Sequence, residues 1–170
     1  MDGFQDYAFV SLGANLPSHF GSPADTLRRA IERLRPLSDE PLLVSSLYSS
    51  SPVDCPPGSP DYHNAMVGLL PRPDETPLSL LHKLQAIEQD FGRVRTGLRN
   101  EARVLDLDLI AFRNDTSDTR ELMLPHPRAA ERLFVLVPLA EIAPRVVLTG
   151  QGEAVERLIA GVEEQGIRKL

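Results

Sequence analysis

Two acids one residue apart, Asp106 and Asp108, lie in the apolar run VLDLDLIAF between Val104 and Phe112. Side chains alternate faces along a strand, so Leu105, Leu107 and Leu109 would share one face and the two aspartates the other. Residues two apart in a strand stand about 6.6–7 Å apart, so both carboxylates can reach one centre. Like charges so placed repel unless a cation sits between them. Mg²⁺, a hard ion that takes oxygen ligands, fills this role in phosphate-transferring sites. The alternation alone equally fits the solvated face of an amphipathic strand. The preceding segment, Gly92 to Arg103 (GRVRTGLRNEAR), carries Arg93, Arg95, Arg99 and Arg103 against Glu101 alone, a net of +3 in a chain whose total is −6. Guanidinium forks pair with phosphate oxygens, and a basic loop leading into paired acids suits a polyphosphate carrying Mg²⁺. Pairing with acids elsewhere is the plainer alternative for these arginines. No aromatic residues interleave with them, which disfavours a nucleic-acid role.

Other candidates are less specific. His126 is held between Pro125 and Pro127, with Arg128 and Arg132 close behind; on so stiff a loop it could donate to a phosphate or act as an acid. Gln85 and Glu88 are three apart on a helix and could both face the arginine loop, although an exposed polar face is the plainer reading. Asn64 lies inside the apolar run YHNAMVGLL, where a buried amide needs hydrogen-bond partners. His19, His63, His82 and Cys55 show no metal-ligand spacing. There is no G-x-x-x-x-G-K-[ST] loop, no G-x-G-x-x-G after a strand and no G-x-S-x-G, so phosphate binding here does not use those frameworks. The residues alone describe a Mg²⁺-dependent site for a phosphorylated ligand.

The elements that must position these residues follow from pattern. Tyr7–Ser11 reads as a strand, followed by turn residues Gly13 and Asn15. Ser22, Pro23 and Asp25 predict an N-cap, a first-turn proline and a capping-box acid, with Leu27, Ala30, Ile31 and Leu34 as the buried stripe. Leu42–Tyr48 and Tyr62–Leu70 read as antiparallel strands flanking a long turn-rich loop. Thr76 and Pro77 open a second helix buried through Leu80, Leu81, Leu84, Ile87 and Phe91, with Gly92 at its C-terminal cap. Val104–Phe112 is the next strand. Glu121–Leu124 predicts a short strand, and Arg128–Leu139 and Val155–Val162 predict helices. Strand, helix, two strands, helix, strand is the β-α-β-β-α-β order of a ferredoxin-like α+β fold: one antiparallel sheet with helices on one face.

With 170 residues and 18.8 kDa, one domain over 1–170 is expected, with chain enough for a real core. Composition is that of an ordinary globular protein, with 42% hydrophobic and 25% charged residues, and no apolar run long enough to span a membrane. The N-terminus MDGFQDYAF shows no signal-peptide pattern, and a lone cysteine fits a reducing compartment, so a cytoplasmic location is expected.

Taken in order, several short pieces resemble one family. They are Ser11-Leu-Gly-Ala-Asn15-Leu, Ser46-Leu-Tyr48 with Ser51-Pro52-Val53, Asp61-Tyr62-His-Asn64-Ala65, Gln85-Ala-Ile-Glu88, Gly92-Arg93-Val-Arg95, Arg103-Val-Leu-Asp106-Leu-Asp108, Leu124-Pro-His126-Pro and Arg132-Leu-Phe134-Val-Leu-Val-Pro-Leu. Over about residues 7–150 the chain resembles 6-hydroxymethyl-7,8-dihydropterin pyrophosphokinases of folate biosynthesis. The resemblance implies a ferredoxin-like fold and transfer of pyrophosphate from ATP to the pterin hydroxymethyl oxygen, releasing AMP. It implies that Asp106 and Asp108 ligate two Mg²⁺ ions and that Arg93 and Arg103 clamp the phosphates. Gln85, Glu88, Arg99, His126 and Arg132 would complete the ATP site. Asn64 would hydrogen-bond the pterin, Phe134 would stack on it with Tyr62 nearby, and the chain around Ser50, Ser51 and Val53 would read its edge. Partners would be these small molecules alone, without nucleic acid or membrane, and the chain a monomer. One departure stands out: where the family reads Arg-Trp-Gly-Pro-Arg, this chain has Arg99-Asn100-Glu101-Ala102-Arg103, and it has no tryptophan at all. A stacking surface over the pterin is lost with that tryptophan, so a weaker closure, or a paralogue that binds without efficient turnover, is the alternative.

Overall fold

The computed structural model describes residues 4–51, 60–92, 104–162 and 165–170. Its centre is β1 (Ala8–Ala14), buried along its whole length. On one side β1 pairs antiparallel with β4 (Tyr62–Leu69) and on the other with β5 (Asp106–Phe112). Two short strands, β2 (Leu43–Val44) and β3 (Tyr48–Ser50), pair with β4, and β8 (Ile167–Lys169) pairs with β3. The sheet therefore runs β5-β1-β4-β3-β8, with β2 beside β4. The strand expected over Leu42–Tyr48 is two pieces. Between them Ser45 takes over the ladder: its N–H donates to the Met66 carbonyl and its hydroxyl accepts from the Met66 N–H at 2.8 Å.

α1 (Pro23–Leu34) starts on the expected capping box, with Ser22 and Asp25 bonded reciprocally. α2 (Pro77–Asp90) starts on Thr76, whose hydroxyl accepts from the Ser79 N–H. Gly92, at φ +89°, supplies the left-handed residue just past the end of α2. The stripes of both helices form one core with Val10, Leu12, Val67, Leu105, Leu107 and Leu109. Full burial of each such side chain contributes about 1.5–3 kcal/mol, which fixes which face of β5 turns inward.

The second face of the sheet is covered too, which corrects the expectation of helices on one face only. α3 (Leu133–Ile142) packs Val135, Leu136 and Leu139 against Phe9, Met66 and Ile110. Its sequence, LFVLVPLAEI, is apolar nearly all round, as a helix buried between a sheet and its flanking turns must be. The helix expected over Arg128–Leu139 is thus a 3₁₀ turn at Ala129–Glu131 followed by α3. The expected Val155–Val162 helix is α4 (Val155–Leu158) and a 3₁₀ turn. β6 (Ser117–Asp118) and β7 (Met123–Leu124) form a separate hairpin. β8 has no counterpart in the sequence-based expectation. Among the described residues no helix is long and apolar enough to cross a membrane.

Candidate active site

Register assembles the site. Asp106 lies opposite Gly13, Gly13 opposite Asn64, and Asn64 opposite Tyr48, so these four form one row across β5, β1, β4 and β3. Because Leu107 points into the α1/α2 core, Asp106 and Asp108 point to the other face, and both are half-buried. In the middle of the row Gly13 offers no side chain. A Cβ there would lie 3.5 Å from Asn64 Nδ2 and 3.9 Å from the Tyr62 ring, so the amide and that ring both border the Gly13 position. Asn64 is 3% exposed, and its Oδ1 accepts from the buried Ser50 hydroxyl at 2.6 Å. That bond fixes the amide plane and turns Nδ2 towards Gly13.

Two cationic or neutral donors face the acid pair. Burial, then the charge of Arg132, hold His126 below its ordinary imidazole pKa, against the opposing pull of Asp106. The ring is therefore neutral near pH 7. Its Nδ1 accepts from the Arg128 N–H at 3.2 Å, which assigns the proton to Nε2 and makes that nitrogen a donor. The His126 N–H donates to the Ile110 carbonyl at 2.8 Å and ties this loop to β5. Arg132 feels both Asp106 and Asp108 and lies 5.3 Å from the centroid of the Phe134 ring. Cation and ring thus arrive together at the start of α3.

α3 is pinned at both ends by residues the sequence did not single out. Gln165, just before β8, accepts through Oε1 from the Leu133 N–H (2.9 Å) and donates through Nε2 to the Glu131 carbonyl (2.8 Å). At the other end Glu141 accepts from the Ser46 N–H (2.8 Å), the Ser46 hydroxyl (2.7 Å) and the Tyr48 hydroxyl (2.8 Å). Burial, with the hydrogen bond and charge of Glu141, pushes the Tyr48 phenol up to about 12. A phenol whose folded pKa lies above its unfolded value of 10.0 stabilises the fold fully below pH 10 and loses that contribution as pH rises towards 12. Tyr48→Phe is expected to cost about 1.5–3 kcal/mol at neutral pH, the range for a hydrogen bond to a charged group. Thermal melts should also show a flatter decline for this variant than for the parent between pH 10 and 12.

Gln85 and Glu88 lie on α2, across the sheet from the aspartate side chains. Gln85 is half-buried; Glu88 is 3% exposed and accepts from the Leu107 N–H at 2.7 Å through Oε2. Glu88 is thus buried against β5, not on an exposed polar helix face. Ser51 is exposed beside Gly166, where a Cβ would fall 2.7 Å from the Ser51 hydroxyl. Tyr62 is half-buried on the same face as Asn64. Val53, Arg93, Arg99, Arg103 and the Asn100-Glu101-Ala102 departure lie outside the described residues.

Asp106 and Asp108 present hard oxygen donors on one face, the chemistry Mg²⁺ takes. Among the described residues no group of three or more His, Cys, Asp or Glu is placed to hold a metal. Mg²⁺ is commonly bound through one or two carboxylates together with waters and substrate phosphates, so a pair of carboxylates is enough to hold it.

Residues 9–144 match the family model for 7,8-dihydro-6-hydroxymethylpterin-pyrophosphokinase, HPPK. The chain belongs to this family. It is 39% identical over 142 residues to the 2-amino-4-hydroxy-6-hydroxymethyldihydropteridine pyrophosphokinase of Haemophilus influenzae, covering 83% of this chain and 84% of that one. The Pseudomonas aeruginosa protein of the same name is 37% identical over 163 residues, 95% of each chain. The Synechocystis one is 41% identical over 157 residues, 92% of this chain and 76% of its own length. Among solved structures, HPPK-DHPS in complex with substrates superposes with a TM-score of 0.70 at 13% identity, over 91% of this chain. Wild-type Plasmodium falciparum HPPK-DHPS gives 0.69 at 13% identity, again over 91% of this chain. This HPPK-family chain spans 44% of the length of each of those two chains, and at that identity the likeness is one of fold. The relatives are enzymes, pyrophosphokinases by name, and the resemblance read in the sequence is borne out.

Proposed function

We propose that this HPPK-family enzyme transfers the pyrophosphoryl group of ATP to the hydroxymethyl oxygen of 6-hydroxymethyl-7,8-dihydropterin, in folate biosynthesis. The pterin oxygen forms a bond to the β-phosphorus, the bond from that phosphorus to the α-phosphate oxygen breaks, AMP leaves, and the hydroxyl proton passes to solvent. The observation that carries this reading is the row Asp106–Gly13–Asn64, which sets one carboxylate of the pair in line with a fixed amide, with only a glycine between them.

Asp106 and Asp108 would hold two Mg²⁺ ions, which supply charge neutralisation across the phosphates. Every other part is done by the chain. Asn64 would pair with the pterin's polar edge, helped by the backbone around Ser50, Ser51 and Val53, and Phe134 would stack on its ring. His126 Nε2–H and the Arg132 guanidinium would donate to phosphate oxygens, and Arg93, Arg99 and Arg103 would clamp the rest. Gln85 would line the nucleotide side. Catalysis of this kind is positioning plus electrostatics, with no covalent intermediate on the protein. The strand order β5-β1-β4-β3, crossed over by α1 and α2, supports a ferredoxin-like β-α-β-β-α-β core. The proposal takes the chain as one 1–170 domain acting as a cytoplasmic monomer.

The test is AMP release from ATP with the pterin, with and without Mg²⁺. AMP that depends on both is the expected result. ATP consumption indifferent to the pterin would overturn the reading, and pterin binding without AMP would favour the paralogue that binds without turnover.

A further inference from the structure

We infer that Glu88 is a positioning residue for the Asp106–Asp108 pair, acting from the opposite face of the sheet through the Leu107 amide. The inference rests on the proposed metal role of that pair. Leu107 is the residue between the two acids, and its N–H belongs to the peptide unit that joins it to Asp106. That N–H donates to Glu88 Oε2 at 2.7 Å. β5 stands at the end of the sheet, paired along one side with β1. A terminal strand is free to twist or fray on its outer side unless something covers it. Here the β1 ladder holds one side of the strand; away from it the His126 N–H bonds the Ile110 carbonyl, and at Leu107, between the two acids, a carboxylate 3% exposed on α2 takes the N–H. Its neighbours in the helix stripe, Leu80, Leu84 and Ile87, are apolar and buried in the same core.

A buried acid in such a stripe costs more than an apolar residue would unless it makes a bond the fold needs. Turning the Leu107 peptide would rotate both aspartates at once, because each is one residue away. The arrangement is an outer-shell support reaching the ligands through backbone, not through a side chain. Glu88 is placed accordingly as a residue that does not touch the phosphates.

The test uses the full chain without nucleotide and Mn²⁺ alone as the probe, followed by electron paramagnetic resonance. Outer-shell partners of metal ligands typically account for about 10–100-fold in affinity, and Glu88→Met is expected to weaken Mn²⁺ binding by that amount. Glu88→Gln keeps an acceptor for the Leu107 N–H and is expected to stay within about threefold of the parent, since the hydrogen bond and not the charge is what positions the strand. Hydrogen exchange at the Leu107 amide should be fast in the Met variant and slow in the Gln variant. A folded Glu88→Met protein with parental Mn²⁺ affinity overturns the inference. So does a Glu88→Gln protein that loses affinity as heavily as the Met variant is expected to, a result that stands even if the Met variant does not fold. Asp108→Ala serves as the reference: if it keeps Mn²⁺, the metal reading itself fails; if it loses Mn²⁺ while Glu88→Met keeps it, only the role of Glu88 fails.

Discussion

Asp108→Ala is expected to lose pyrophosphoryl transfer by roughly a thousandfold or more, because a metal that neutralises transferring phosphates is worth several kcal/mol of transition-state stabilisation and each 1.36 kcal/mol is tenfold. The fold should survive intact. Asp108 is half-buried, and its cross-strand neighbour on β1 is Ser11, so no packed apolar contact is removed. The two carboxylates repel each other in the absence of a cation, and deleting one relieves that strain. The loss of attraction between Asp108 and Arg132 acts in the opposite sense. Melting temperature is expected to move little for that reason, while turnover collapses. Steady-state AMP release at saturating Mg²⁺ and a thermal melt on the same preparation check both halves. Turnover within tenfold of the parent would refute the assignment of Asp108 to the metal, and a variant that fails to fold would show that the pair has a structural task.

The acid pair was legible in the sequence because a strand's period of two is exact enough to sort Leu105, Leu107 and Leu109 from Asp106 and Asp108 without tertiary information. The two main helices were legible for a similar reason: Ser22 with Asp25, and Thr76 with Pro77, are local signals that act within one turn. What failed was what depends on neighbours distant in the chain. Nothing in LLVSSLY says that Ser45 will bond Met66 and split the strand in two. An α3 that is apolar nearly all round announces that it is buried, but not which face of the sheet buries it. β8 is three residues long, two of them charged and exposed, and its pairing with β3 leaves no pattern to find. The Gln165 amide's bonds to residues 131 and 133 likewise emerge only in three dimensions. Glu88 shows the same limit most sharply. Its spacing from Gln85 was read as a shared polar face, whereas the angle of α2 on β5 puts its carboxylate on the Leu107 backbone.

The second large effect is expected at the other end of the row, and it should separate from the first. Asn64→Ala removes an amide that is 3% exposed, fixed by Ser50 and aimed at Gly13. A buried polar pairing lost on one side leaves the other partner unsatisfied, at about 1–3 kcal/mol, which is roughly 5–150-fold in affinity for a ligand that had used it. Pterin affinity should fall by that amount. ATP affinity in the presence of Mg²⁺ should hold, because Asn64 sits two strands away from Asp106, across Gly13. Asp108→Ala should do the reverse, weakening Mg²⁺-ATP while sparing the pterin. Some stability is lost as well, since the Ser50 hydroxyl is buried and gives up its acceptor, so the titrations belong well below the melting transition. Calorimetric titration of each variant with each ligand completes the two-by-two comparison. If Asn64→Ala weakens ATP as much as the pterin, the row is one undivided site; if it weakens neither, the pterin lies elsewhere. The crossed pattern is what a sheet face with the metal pair on β5 and the base reader on β4 requires.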